Sequence, residues 1–316
     1  MLKPIKLQSV FKEIIWGGNR LKTDYNKKSD LSNIAESWEL TVREDGMNTI
    51  IGGKFDGLTM QEYIDKNGFE VVTNKPMDRF PLLIKFIDAE DNLSIQVHPD
   101  DDYAMAKANS LGKTEMWYVI DAKPGAKLVY GLKSTSTAES LTRAIANGTV
   151  ENELNYVSVK KGDVFFIPSG LVHAIGAGIL LAEIQQNSNI TYRVYDYNRL
   201  GKDGKPRELH VEDALNVIVN RNEDEIDKIR FSTNVKNDDT LASCEFFNVE
   251  KFFIDEPCEF SANVESFNSI LCLEGDGNII FEGESFPISK GDSYFIPAGM
   301  GDYSIQGNLE IIVSKL

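Results

Sequence analysis

Apolar residues along this chain recur mostly at every second position, the period of a half-buried β-strand, and less often at the three-to-four spacing of a helix. Leu82–Ile87, Leu93–His98, Met116–Ile120, Ala126–Tyr130, Tyr156–Val159, Ile179–Gln185 and Thr191–Asp196 read as strands. Between them the pattern changes. Thr59-Met60-Gln61-Glu62 forms a capping box, with Leu58 and Tyr63 placed to staple the helix entry and Asn67-Gly68 to end it. Ser136-Thr137-Ala138-Glu139 predicts a second capped helix running to Asn147-Gly148, with Ala138, Leu141 and Ile145 on its buried face. Short helices are expected at Asp101–Asn109 and Val211–Asn220.

One stretch of this pattern occurs twice. Residues 159–175 read VKKGDVFFIPSGLVHAI and residues 288–304 read ISKGDSYFIPAGMGDYS, at a constant offset of 129 residues. Each copy is a Lys-Gly-Asp turn, a short aromatic and β-branched strand, and a Pro-x-Gly turn. The repeat predicts a duplicated all-β module, with helices inserted into the first copy. The charged, Asn-rich stretch Arg221–Asn237 reads as the link, giving a large module over 1–232 and a smaller one over 233–316.

Charge narrows the function classes. The 316 residues carry 33 Lys and Arg against 49 Asp and Glu, a formal net charge of −16. That field repels phosphate backbones and anionic lipid, so neither a nucleic acid nor a membrane surface is an expected partner. A small anion remains compatible with a pocket lined by a few cations. The N-terminus has no apolar core of signal-peptide length, and no apolar run nears the ~20 residues that cross a bilayer. Cys244, Cys258 and Cys272 are odd in number and lack a CxxC pairing, which fits reduced thiols in the cytoplasm.

The candidate chemistry sits on strand faces. Alternation in Leu93–His98 puts Ser94, Gln96 and His98 on one side and Leu93, Ile95 and Val97 on the other. A polar face inside a β-rich protein needs hydrogen-bond partners, a metal or solvent. His173 follows the Pro168-x-Gly170 turn, and Glu115 opens the next strand; imidazole and carboxylate suit zinc, iron, manganese or nickel. The bland alternative is a pair of hydrogen-bonded histidines at strand ends. His210 reads as a residue at a helix entry. Lys85 interrupts the apolar strand Leu82–Ile87, so it either snorkels to a rim or enters a pocket where desolvation lowers its pKa. Arg193 lies mid-strand and needs an anion, either a carboxylate such as Glu183 or a bound oxyanion. Glu183 and Gln185 share a face and could support the site from behind.

Gly162-x5-Pro168-x-Gly170-x2-His173 resembles the second cupin motif, with Ala177 where an Asn usually trails. The first motif is present as Gln96-x-His98, with Glu115 displaced by an insert. LLIKFIDAEDNLSIQVHPDDDYA, LGKTEMWYVI and GILLAEIQQNSNITYRVYDYNRLG, with Trp16-Gly17-Gly18 and Ala35-Glu36-Ser37-Trp38, are similar to the short bacterial type I mannose-6-phosphate isomerases over nearly the whole chain. The resemblance implies an all-β fold of two cupin (jelly-roll) barrels with helical inserts, the C-terminal one degenerate. It implies a zinc-dependent aldose–ketose isomerase acting on mannose 6-phosphate and fructose 6-phosphate through an enediol. The zinc ligands would be Gln96, His98, Glu115 and His173, the essential arginine Arg193, and the site lysines Lys85 and Lys113. In the second module His173 maps to Asp302, no Gln-x-His precedes it, and no metal is expected. Two other classes fit the motifs alone: a non-catalytic sugar-phosphate-binding bicupin and an iron cupin oxygenase, although the latter usually carries two histidines where Gln96 and His98 stand. The native metal, the general base and the oligomeric state stay open.

Overall fold

The computed structural model describes residues 2–201, 204–219, 221, 225 and 239–316. The boundary expected at 232/233 lies outside these residues. Two sheets form the larger module. One has six strands in the order Val164–Ile167, Glu115–Ala122, Ile179–Gln186, Leu82–Ala89, Glu36–Leu40 and Val10–Lys12. The other has five, in the order Leu154–Ser158, Lys127–Leu132, His173–Ala174, Ile95–Val97 and Tyr192–Tyr195. All pairings in both sheets are antiparallel.

The six-stranded sheet is covered on both sides, which explains why Leu82–Ala89 and Ile179–Gln186 are buried at every position. Leu82, Ile84, Phe86, Met116, Tyr118, Ala182 and Ile184 pack into a core shared with Phe267, Leu271 and Phe295 of the C-terminal module. The alternate set, Ile87, Trp117, Val119 and Leu181, packs inside the barrel with Leu128, Tyr130, Phe165 and Ile175. The outer face of the five-stranded sheet is closed by helices. Ile95, Val97, Val129 and Val194 meet Leu141 of the Ala138–Ala146 helix and Ala214 of the Val211–Val217 helix. Ile95 and Val97 thus turn away from the barrel as alternation predicts, while Leu93, outside the strand proper, joins the inner core.

The first capping box forms at Thr59 with Glu62 as expected, and the helix ends at Gly68. The second is shifted by one residue. Thr137, not Ser136, is the N-cap, and Ser140 is its reciprocal partner. Ser136 is instead buried and donates to the Glu153 carbonyl. Ala138 is exposed, and Ala144 rather than Ala138 is buried beside Leu141. Thr137→Ala is therefore expected to lower stability by about 1 kcal/mol, and Glu139→Ala by clearly less, in denaturant titrations. The reverse order would return the cap to Ser136.

The C-terminal module is a nine-stranded antiparallel sheet built on two long strands, Asn268–Phe281 and Gly301–Lys315. Each pairs with different neighbours along its two halves. A bulge between Cys272 and Glu274, next to Gly275 at φ +77°, supplies the bend. Leu271, Ile279, Phe295 and Ile296 are buried, whereas Ile280 is only half-buried. N-terminal strands Ile5–Gln8 and Thr49–Ile51 complete this sheet through Ile5 and Lys6 opposite Phe295 and Tyr294, an arrangement that division of the chain by position does not foresee.

The repeat is structural as well as sequential. Gly162 and Gly291 take φ of +86° and +88°. Asp163 and Asp292 each accept from the backbone N–H three residues back, at 2.9 Å in both copies. Leu171 and Met300 close the Pro-x-Gly turns onto Pro168 and Pro297 at 3.2 Å in both.

Candidate metal centre and cavity

Register brings the site together. His173 stands opposite Gln96, and Gln96 opposite Arg193, on three adjacent strands of one sheet. Across the barrel, Glu183 stands opposite both Lys85 and Trp117, and Gln185 opposite Glu115. His98, Glu115 and His173 are fully buried, and their ligating atoms lie within 4.8 Å of one another. The two imidazole Nε2 atoms are 3.1 Å apart, and Glu115 Oε1 is 3.3 Å from that of His173.

The tautomers follow from the backbone. His98 Nδ1 lies 2.9 Å from the Ile190 carbonyl and His173 Nδ1 2.8 Å from that of Leu171. A carbonyl only accepts, so both Nδ1 atoms carry protons and both Nε2 atoms present lone pairs. Two lone pairs and a carboxylate converge with no proton between the nitrogens. Burial pushes His173 down to about 4 and His98 well below its ordinary value, with Lys113 adding to the His98 shift, which favours the neutral rings. Burial, with the nearby Glu183 charge, pushes Glu115 up to about 7. The arrangement fits a divalent cation, which accepts all three ligands and whose charge offsets the carboxylate. Gln96 is adjacent, its amide nitrogen 3.5 Å from His173 Nε2, so the amide would have to turn to offer its oxygen to a metal.

Beside these ligands is a cavity of about 290 Å³ whose lining includes Lys85, Gln96, Lys113, Glu183, Arg193 and Arg207. Lys113 lies 3.1 Å from Glu115. Lys85 points inward, 3.0 Å from Glu183 and 3.6 Å from Glu36. Burial alone would lower its pKa, as expected from sequence, but the two carboxylates outweigh burial and raise it. Glu183 is also held by the Trp117 indole at 3.0 Å. Gln185 makes no direct hydrogen bond to His98, Glu115 or His173 among the described residues. Its amide donates to the Gln186 and Ser188 carbonyls and shapes the turn leading to Ile190, whose carbonyl orients His98.

Arg193 donates to Ser94 Oγ at 3.3 Å and to the Glu208 carbonyl at 2.6 Å. Among the described residues no carboxylate lies within ion-pairing distance of it, so Glu183 is not its partner. His210 occupies the N-cap position of the Val211–Val217 helix without a side-chain capping bond and meets the Arg193 backbone, away from the metal ligands. Arg207 escaped the sequence reading because Gly201–His210 has no periodicity to place a side chain. Trp16 and Glu36 reach the cavity through a close approach. A Cβ on Gly17 would lie 2.5 Å from that of Ala35, so glycine lets the two segments touch.

Residues 5–124 match the type I phosphomannose isomerase catalytic domain, and residues 237–316 the mannose-6-phosphate isomerase cupin domain. Mannose-6-phosphate isomerase ManA of Bacillus subtilis is 38% identical over 99% of both chains. The chain belongs to the type I phosphomannose isomerase family. A mannose-6-phosphate isomerase of Streptococcus mutans is 36% identical over 99% of this chain and 98% of its own. The family's fold is equally clear in three dimensions. The crystal structure of the mannose 6-phosphate isomerase from Bacillus subtilis gives a TM-score of 0.88 at 36% identity, covering 99% of each chain. Among the described residues no helix is long and apolar enough to cross a membrane.

Proposed function

We propose that this chain interconverts mannose 6-phosphate and fructose 6-phosphate, using one zinc ion held by His98, Glu115 and His173 with Gln96 as a fourth contact. The observation that carries this reading is the convergence of two imidazole lone pairs and a buried carboxylate beside a cation-lined cavity, in a member of this family. The reaction moves a proton between C1 and C2, and negative charge develops on the two neighbouring oxygens. A bound divalent ion supplies Lewis-acid stabilisation of that charge.

The side chains divide the remaining work. Lys85, kept protonated by Glu183 and Glu36, donates hydrogen bonds to sugar oxygens and does not act as the base. Lys113 adds a second ammonium beside Glu115. Trp16, Ile87, Leu93 and Ile175 form an apolar wall that excludes water from the reacting carbons. Arg193, free of a carboxylate partner, faces the anionic substrate. The three free cysteines suit the reducing cytoplasm, and the charge of −16 argues against nucleic acid as a partner.

The test is fructose 6-phosphate formation from mannose 6-phosphate by purified protein, before and after removal of metal by a chelator and its return as zinc, with elemental analysis. One metal per chain, loss on chelation and recovery with zinc are expected. Full turnover by metal-free protein would end the metal reading, and no turnover by the zinc-loaded protein would end the isomerase reading.

Metal binding must displace the proton that burial favours on Glu115. Apparent zinc affinity is therefore expected to rise about tenfold per pH unit up to about pH 7 and to level off above it. Competition with a chromophoric chelator between about pH 5.5 and 8.5 reads this directly. A flat profile below pH 7 would mean Glu115 is already ionised in the metal-free protein.

A further inference from the structure

An insert carrying the Asp101–Ala108 helix separates His98 from Glu115, and its two ends close on each other at Gly112. A Cβ there would lie 2.5 Å from the Asp100 carbonyl carbon and 2.6 Å from the Asp101 nitrogen, so glycine lets the ends meet. The Gly112 N–H donates to Asp101 Oδ1 at 2.6 Å, and the Lys113 N–H to the Pro99 carbonyl at 3.0 Å.

Gln186 completes the closure from the six-stranded sheet. It is the buried last residue of the Ile179–Gln186 strand. Its side-chain oxygen accepts from the Thr114 N–H at 2.8 Å, and its own N–H donates to the Thr114 carbonyl at 3.1 Å. Its side-chain nitrogen donates to Asp101 Oδ1 at 2.9 Å. A backbone N–H only donates and a carboxylate only accepts, so these partners fix the orientation of the amide.

Thr114, held in this way, stands between two buried residues of the site. Glu115 belongs to the ligand group, and Lys113 lines the cavity 3.1 Å from Glu115 Oε2. A metal tolerates errors of only about 0.2 Å in ligand distance, so a small shift of this backbone is felt at the carboxylate. Gln186 and Asp101 reach the pair through the backbone of 112–114, so neither is a catalytic residue.

We propose that Gln186, anchored by Asp101, is a positioning residue that fixes Glu115 for the metal and Lys113 for the substrate. The proposal rests on the metal reading above and adds to it two residues outside the ligand set.

The test exchanges the charge between the two side chains. Gln186→Glu keeps an acceptor for Thr114 but sets a carboxylate against Asp101. Asp101→Asn keeps an acceptor for both of its donors. In the double variant the new amide can donate to the new carboxylate and still accept from Gly112. Zinc affinity is read by competition with a chromophoric chelator, beside melting temperature and kcat and KM for mannose 6-phosphate. Gln186→Glu should weaken zinc binding about ten- to a hundredfold, the usual cost of losing a group that orients a ligand, and lower kcat. Asp101→Asn should stay within about threefold of wild type, and the double variant should recover most of the loss, a coupling expected of side chains in one network. A merely structural role would lower the melting temperature of Gln186→Glu and leave the zinc affinity of the folded protein unchanged. Zinc affinity within about twofold of wild type in folded Gln186→Glu overturns the proposal. A double variant that binds zinc no better than Gln186→Glu overturns the part given to Asp101. Should Gln186→Glu fail to fold, Asp101→Ala at a half-buried position removes the acceptor of both donors and is expected to weaken zinc about tenfold; unchanged affinity there overturns the proposal equally. Wild type that binds zinc but does not isomerise mannose 6-phosphate would end the isomerase reading, while the zinc affinities still decide this one.

Discussion

Replacing His173 with alanine is expected to remove the bound metal and cut isomerisation by about a thousandfold or more, on the several kcal/mol that Lewis-acid stabilisation contributes. The imidazole is fully buried and its Nδ1 proton is committed to the Leu171 carbonyl, which fixes Nε2 as a ligand. Without it, His98 and Glu115 remain with only the weak amide contact of Gln96 in place of a third strong donor, too little for a stable site. His210→Ala is the matched control, since that ring accepts from the Arg193 backbone N–H at the start of a helix without joining the ligand group. It should keep one metal per chain. Elemental analysis and steady-state kinetics of the two variants decide the matter. A His173→Ala enzyme that retains stoichiometric metal and turns over within tenfold of wild type would remove His173 from the site.

Strand parity made one face of this site legible in the sequence, and its grouping with Glu115 and His173 was implied by the family resemblance. Gln96 and His98 share a face in any extended strand, and the Pro168–Gly170 turn brings His173 in next to them; the structure adds the register that sets Gln96 between His173 and Arg193. What was not legible depends on partners distant in sequence. Burial alone predicts a depressed Lys85 pKa, yet Glu183 and Glu36 arrive from two other strands and reverse the sign. The Ser136 box looked sound in isolation, but burying Ser136 against Glu153 moved the cap to Thr137. Membership of Ile5–Gln8 in the C-terminal sheet is a long-range pairing with no local signal. Arg207 lies in irregular chain, where neither period identifies a face.

Arg193→Ala is expected to lower kcat/KM by about 10²–10³ while leaving the fold and the metal content intact, the usual cost of losing one oriented donor to an oxyanion. Tyr192 and Val194 pack outward into the helix-covered core, which turns Arg193 to the cavity. There the side chain is half-buried, with a serine hydroxyl and a backbone carbonyl as its hydrogen-bond acceptors and no carboxylate within ion-pairing distance among the described residues. A half-buried cation without a counter-ion is costly to the empty protein and is stabilised when an anion binds. Its removal should therefore cost little stability, and the melting temperature of the variant is expected to stay within a few degrees of wild type. The loss should also reach kcat, because binding energy from an anionic group of the substrate helps to hold the reacting carbons in place. Arg193→Lys should recover only part of the rate, since an ammonium cannot reproduce two parallel N–H donors. A variant with near-normal turnover and a markedly lower melting temperature would instead make Arg193 a structural tie between Ser94 and the Glu208 carbonyl.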